Sequence, residues 1–189
     1  MAASTVATVV AMVALLGGGQ TGSKAAQASS GFSLTSADVR GTFAEGQVLN
    51  TFGCTGGNQS PQLSWTGVPA GAQSFALTMF DPDAPTGSGW WHWIVVNIPV
   101  SATELPPGAS GNQAKMPAGS QETRTDFGKP GYGGPCPPPG APHRYVFTLY
   151  ALKVPKLDLD SQASGAMASF TIRQNSLASA TFTARYSRK

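Results

Sequence analysis

The sequence predicts a single domain dominated by β-strands, and three observations lead there. The 189 residues include 23 Gly and 15 Pro, too many turn-forming positions for a coiled coil or a helical bundle. Charged residues make up 11% and hydrophobic residues 41%. That leaves too few charges to coat exposed helices, and too much hydrophobicity for charge-rich disorder. Several short segments also alternate apolar and polar side chains with a period of two, the mark of half-buried strands. The length allows one domain, or at most two small ones.

Residues 1–30 stand apart and predict a signal or disordered leader ahead of a domain spanning 31–189. Residues 6–16 form an apolar run broken only by Thr8, followed by three glycines. The run is short for a bilayer-spanning helix, and Ala26-Gln27-Ala28 has the small-x-small form of an export cleavage site. No Lys or Arg precedes the run, so the alternatives are an N-terminal anchor or a mis-assigned start. Export implies a secreted or periplasmic protein; without it the protein is cytoplasmic. Membrane contact is expected to be peripheral at most.

Along the body, residues 32–34 and 63–65 are short strand candidates. Residues 74–80 set Phe75, Leu77 and Met79 on one face, against Ser74, Ala76 and Thr78. Residues 91–98 and 145–152 are apolar on both faces and rich in aromatic and β-branched side chains, as central strands are. Residues 181–186 alternate cleanly, with Phe182, Ala184 and Tyr186 on one side. One helix is predicted over 161–177, capped by Asp160 or Ser161, with Met167, Phe170, Gln174 and Leu177 on its apolar side. Long Pro/Gly-rich connections cover 105–119 and 126–142, lengths that tend to carry function.

The net charge is +3, and setting residues 1–30 aside removes only Lys24, leaving +2. Twelve scattered Lys and Arg form no basic stripe, so nucleic acid is not an expected partner. Cys54 and Cys136 can form one disulfide or remain free thiols. With two histidines at these spacings they match no zinc pattern, so no metal and no cofactor are expected.

Chemistry can reside in three places. His92 lies within Trp90-Trp91-His92-Trp93 at a strand start, where alternation puts Trp90 and His92 on one face and Trp91 and Trp93 on the other. His143 opens another strand, sharing a face with Tyr145. Asp81-Pro82-Asp83-Ala84-Pro85 follows the 74–80 strand, and its prolines stiffen the two carboxylates. The plainest account of this last motif is an Asx turn; the functional one is a carboxylate that orients an imidazole. No nucleophile elbow, P-loop, zinc-protease or dinucleotide motif is present.

These segments together resemble the phosphatidylethanolamine-binding protein family. The match lies in DPDAP at 81–85, GWWHWIVVN at 89–97 and PHRYVFTLY at 142–150. TRTDFGKPGYGGPCPP at 123–138 is similar to the bacterial, Raf-kinase-inhibitor-like branch. The resemblance covers roughly 31–187. It implies a Greek-key antiparallel β-sandwich with one or two small peripheral helices. It also implies a small pocket for phosphate, acetate or a phosphorylated head group, walled by Asp81, Asp83, Pro85, Trp90, His92, His143 and Tyr145, with Pro137 at the rim. Two ionised aspartates are poor direct ligands for a dianion, so at least one is expected to orient a histidine or share a proton with the ligand. Arg144 is expected to point away and pair with an acid elsewhere.

The resulting expectation is a non-enzymatic binding protein for small anions or phosphorylated ligands, with a modulated protein partner as an extension. The alternatives are a protease or kinase inhibitor acting through the 105–119 loop, and a hydrolase using a His/Asp pair.

Overall fold

The computed structural model describes Met1 and residues 31–188. The export leader expected over 1–30 therefore lies outside the described residues. Among the described residues, eight strands form two antiparallel sheets. The small sheet joins β1 (Ser33–Thr35), β2 (Leu63–Thr66) and β5 (Glu104–Leu105) in the order β1-β2-β5. The large sheet orders β6 (Gln121–Glu122), β4 (Trp90–Pro99), β3 (Ser74–Asp81), β7 (His143–Leu152) and β8 (Ser176–Tyr186) as β6-β4-β3-β7-β8. Strands β3, β4 and β6 lie side by side and β7 returns beside β3, the 4-1-2-3 arrangement of a Greek key. The β-dominated, antiparallel two-sheet expectation is correct.

Alternation in β3 builds two cores at once. Phe75, Leu77 and Met79 pack with Leu34, Leu63, Trp65 and Leu105 of the small sheet and with Tyr145, Phe147 and Leu149 of β7. From the opposite face, Ala76 joins Ile94, Val96, Tyr150 and Leu152 beneath the helix α1 (Gly165–Asn175). The central strands are thus buried on both sides, which explains their unbroken apolar composition.

The helix corrects one expectation. It starts at Gly165 and is capped by Ser164, whose hydroxyl accepts from the Met167 amide, not by Asp160 or Ser161. Asp160 accepts the Gln162 amide in a turn ahead of it. The face toward the sheet carries Gly165, Ala168 and Ile172, while Met167 and Phe170 are exposed, as is Leu177, which lies in β8. Small residues face inward because the helix sits hard on Trp91: a Cβ at Gly165 would lie 2.3 Å from the indole. Apolar size is therefore a poor guide to the buried side here. The two-residue strands β5 and β6 are too short to show a period and were not anticipated.

Strand β4 breaks register twice against β3. Phe80 pairs with Trp91 and Met79 with Trp93, leaving His92 as the extra residue of a β-bulge. A second shift lies between Phe75 and Leu77, near Asn97, which has φ 59°. The Asn97 amide side chain accepts from the Leu157 amide at 2.7 Å and donates to the Leu157 carbonyl at 3.2 Å, holding the chain in this left-handed conformation.

Cys54 and Cys136 form a disulfide with Cα atoms 6.1 Å apart, closing a sequence separation of 82 residues. Arg188 lies against both sulfurs and donates from Nη1 to the Phe52 carbonyl at 3.1 Å. Among the described residues no helix is long and apolar enough to cross a membrane.

Candidate functional site

The end of β3 and the beginnings of β4 and β7 meet at one end of the large sheet, since Asp81 pairs with Trp90 and Phe80 with Val146. A cavity of about 190 Å³ opens there. Its polar groups come from Asp81, His92, His143 and Tyr145; Trp90, Pro85 and Pro137 flank them. All the wall residues expected from sequence line this cavity except Asp83.

Asp83 is the correction. Its carboxylate turns outward and takes a bidentate pair from Arg144, with Nη2 at 2.7 Å and Nε at 2.9 Å, and also accepts the Arg144 amide at 2.8 Å. Those bonds hold the Asp83 carboxyl down at about 2. Arg144 thus pairs with an acid outside the pocket. The acid is one of the two aspartates expected inside it, and the spacing within the motif could not show which would turn out.

Asp81 turns inward and is buried. Its Oδ1 accepts the Asp83 amide at 2.8 Å, an Asx turn, and its Oδ2 lies 2.8 Å from His143 Nδ1. The turn and the orienting of an imidazole are therefore one arrangement. With both oxygens engaged, Asp81 fixes His143 so that Nε2 is the nitrogen left for a ligand.

His92 reaches the cavity because of the bulge. The extra residue breaks alternation, so Trp91 packs on Phe80 with ring centroids 4.4 Å apart, on the helix side. Trp93 is fully buried between the sheets. Trp91 and Trp93 therefore occupy opposite faces, contrary to simple alternation. Backbone groups freed at the bulge are taken up by the following loop. The Trp91 amide donates to Asp126 Oδ2 at 2.7 Å, and the Gly133 amide donates to the His92 carbonyl at 2.9 Å.

Gly133 also returns the bond, its carbonyl lying 2.7 Å from His92 Nδ1. A Cβ at Gly133 would strike the Phe127 ring at 2.1 Å, so only glycine lets this strap lie flat. His92 is 4% exposed, and burial pushes its imidazole down to about 4, against the pull of Gly133 and Asp81. Tyr145 is fully buried, its hydroxyl lies beside the Asp81 carboxylate without a well-formed hydrogen bond, and burial together with that negative charge raises its pKa.

The rim was only partly anticipated. Leu49, Phe52, Phe127 and Pro138 line it with Pro137 and Cys136, and Phe52 stacks on Phe127 at 6.0 Å. Phe127 also meets the edges of Trp90 and His92. Its place in the Gly/Pro loop at 126–142 was the available signal; Leu49 and Phe52 offered none beyond their nearness to Cys54. Thr86 also borders the cavity, but its hydroxyl donates to the Gly89 carbonyl at 2.6 Å. The 105–119 loop lies elsewhere and is tied down through Ser110, which donates to Glu122 at 2.6 Å.

A family model described as phosphatidylethanolamine-binding protein matches residues 39–187. The chain belongs to that family. Among curated relatives, the UPF0098 protein YbhB of Escherichia coli is 54% identical over 140 residues, 74% of this chain and 89% of its own. The UPF0098 protein YbcL of the same organism is 48% identical over 159 residues, covering 82% and 87%. The crystal structure of E. coli YbcL, described as a new member of the mammalian PEBP family, superposes with a TM-score of 0.82 over 84% of this chain and 99% of that one. The strands that build the cavity all fall within the matched segment.

Proposed function

We propose that this family member is a non-enzymatic binding protein whose cavity takes phosphate or a phosphorylated small molecule, of the kind carried by phospholipid head groups. One observation carries the reading. Two imidazoles and a buried tyrosine hydroxyl converge on a small cavity, backed by a carboxylate already engaged in orienting His143. Such a set can surround a compact oxyanion with hydrogen bonds. The name of the family points to the same ligand chemistry. The aromatic and proline rim suits an organic substituent on the anion.

Against catalysis stands the lack of an activated nucleophile beside the imidazoles. The Thr86 hydroxyl is committed to a carbonyl, and no free cysteine is present among the described residues. We further propose that the domain works in an oxidising compartment. The disulfide at the rim suits export, as does the apolar run followed by small residues at 6–28.

Calorimetric titration of phosphate and phosphorylethanolamine tests the reading. A dissociation constant in the micromolar to millimolar range is expected, since a few charge-assisted bonds to a small ion supply roughly 4–8 kcal/mol. His92→Ala and His143→Ala should each weaken it about ten-fold or more. Unchanged affinity in both variants would remove the cavity as the binding site.

A further inference from the structure

We infer that the Cys54–Cys136 disulfide is a redox latch on the cavity rim, and that the site reaches full affinity only in the oxidised chain. The inference rests on the anion-pocket reading above and adds its regulation.

Two rim segments meet at this bond. Leu49 and Phe52 line the cavity from the stretch before Cys54, and Cys136 itself lines it with Pro137 and Pro138. The bases of the two segments are joined without the disulfide. The Leu49 amide donates to the Pro135 carbonyl at 3.2 Å, and the Gly134 amide donates to Asn58 Oδ1 at 2.8 Å. The tips differ: no backbone hydrogen bond joins residues 51–54 to 136–138, and the Cys54 amide bonds within its own turn, to the Thr51 carbonyl. Phe52 sits on that tip with φ 54°, a left-handed conformation disfavoured for a bulky side chain, and its ring is 68% exposed. The disulfide next to it holds the ring in place against Phe127 on the rim.

Arg188 makes this bond responsive to thiols. Its Nη1 lies 3.9 Å from Cys54 Sγ and 3.8 Å from Cys136 Sγ. Its Nε is buried without an acceptor, and no carboxylate among the described residues pairs with it. A neutral disulfide leaves that cation uncompensated, whereas a thiolate would compensate it. The guanidinium therefore favours the reduced state and makes the sulfur it faces a better leaving group.

Cys54 is buried and Cys136 is half-buried beside the cavity, so an incoming thiolate reaches Cys136 first. It bonds to Cys136 Sγ while the electron pair of the S–S bond leaves on Cys54 Sγ, next to Arg188. The second sulfur of a dithiol then displaces Cys136. The dithiol is oxidised to its cyclic disulfide, and its two electrons and two protons convert the cystine to two thiols. The bases stay joined, the tips come apart, and Phe52 relaxes toward ordinary conformations. A closed rim populated about one part in ten lowers apparent affinity about ten-fold. Linkage is reciprocal, so bound ligand favours the disulfide by the same factor.

The test titrates phosphorylethanolamine calorimetrically into the oxidised chain, the chain reduced with dithiothreitol, and the Cys54→Ser/Cys136→Ser variant. The oxidised chain should bind about ten-fold more tightly than the other two, and dithiothreitol should not change the affinity of the double variant. In buffers of reduced and oxidised dithiothreitol, saturating phosphorylethanolamine should raise the reduced-to-oxidised ratio needed for half-reduction about ten-fold. Alkylation and mass spectrometry read that ratio. Arg188→Gln keeps a donor for the Phe52 carbonyl but removes the charge, and should raise the same ratio about three- to ten-fold without ligand.

Equal affinity of the oxidised and reduced chains overturns the latch and leaves the pocket reading intact. Collapse of the circular dichroism spectrum on reduction also overturns it, since binding would then be lost with the fold. No binding to the oxidised chain overturns both readings. A half-reduction ratio that Arg188→Gln leaves unmoved or lowers overturns the part given to Arg188. If the double variant does not fold, the reduced wild-type chain decides.

Discussion

At the scale of single residues, the two aspartates of one five-residue motif have opposite fates. Asp81 is an internal strut: its oxygens hold the Asp83 amide and His143. Asp81→Asn puts an amide where an acceptor is needed, and should cost about 1–3 kcal/mol in chemical denaturation as well as weakening anion binding. Arg144→Ala breaks a largely exposed pair and should leave anion affinity unchanged in the same titration. His92 couples the site to pH. Its folded value of about 4 lies below the ordinary 6.5, so the unfolded chain binds the extra proton between them. Stability is then full above about pH 6.5 and falls as pH drops toward 4, by up to about 3 kcal/mol. His92→Gln should flatten that part of the stability profile, measured by denaturant melts across the range. The family resemblance implied that carboxylates and imidazoles would meet. It could not show which aspartate faces in, because Arg144 competes for the same motif from a neighbouring strand.

At the scale of elements, the strands were readable and the helix face was not. Period-two alternation marks a strand wherever each face has its own environment, as in β3. In β4 the bulge interrupts the period, so alternation places Trp93 on the face opposite His92, whereas it lies with His92 on the inter-sheet side; the strand itself was evident. The helix fails for another reason: its contact with the sheet is set by closeness to Trp91, which admits Gly165, Ala168 and Ile172 and leaves the larger Met167 and Phe170 outside. Two substitutions separate these faces. Ile172→Ala should lower stability by about 2–4 kcal/mol, and Phe170→Ser should change it by less than about 0.5 kcal/mol, both read from urea midpoints. Reversed magnitudes would mean that the helix packs the other way round.

At the scale of the whole molecule, the disulfide binds two rim segments that are far apart in sequence. Leu49 and Phe52 lie just before Cys54, and Pro137 and Pro138 just after Cys136. Cross-linking across 82 residues restricts the unfolded chain, so the Cys54→Ser/Cys136→Ser double variant should lose about 2–5 kcal/mol, seen as a lower thermal midpoint. The pairing was left open by the sequence, since two cysteines in Gly/Pro loops give no distance between them. The architecture was legible because the motifs lie at strand ends that a Greek key gathers at one edge. The cavity also depends on a surplus of one. Strand β4 carries a residue more than its partner needs, and deleting His92 would restore an even ladder between Met79-Phe80 and their neighbours. The shortened chain would make a more regular sheet, and it should lose the cavity that His92 lines. A gap of one position in an alignment of relatives at this point should therefore travel with loss of the cavity, whatever else in the sequence stays the same.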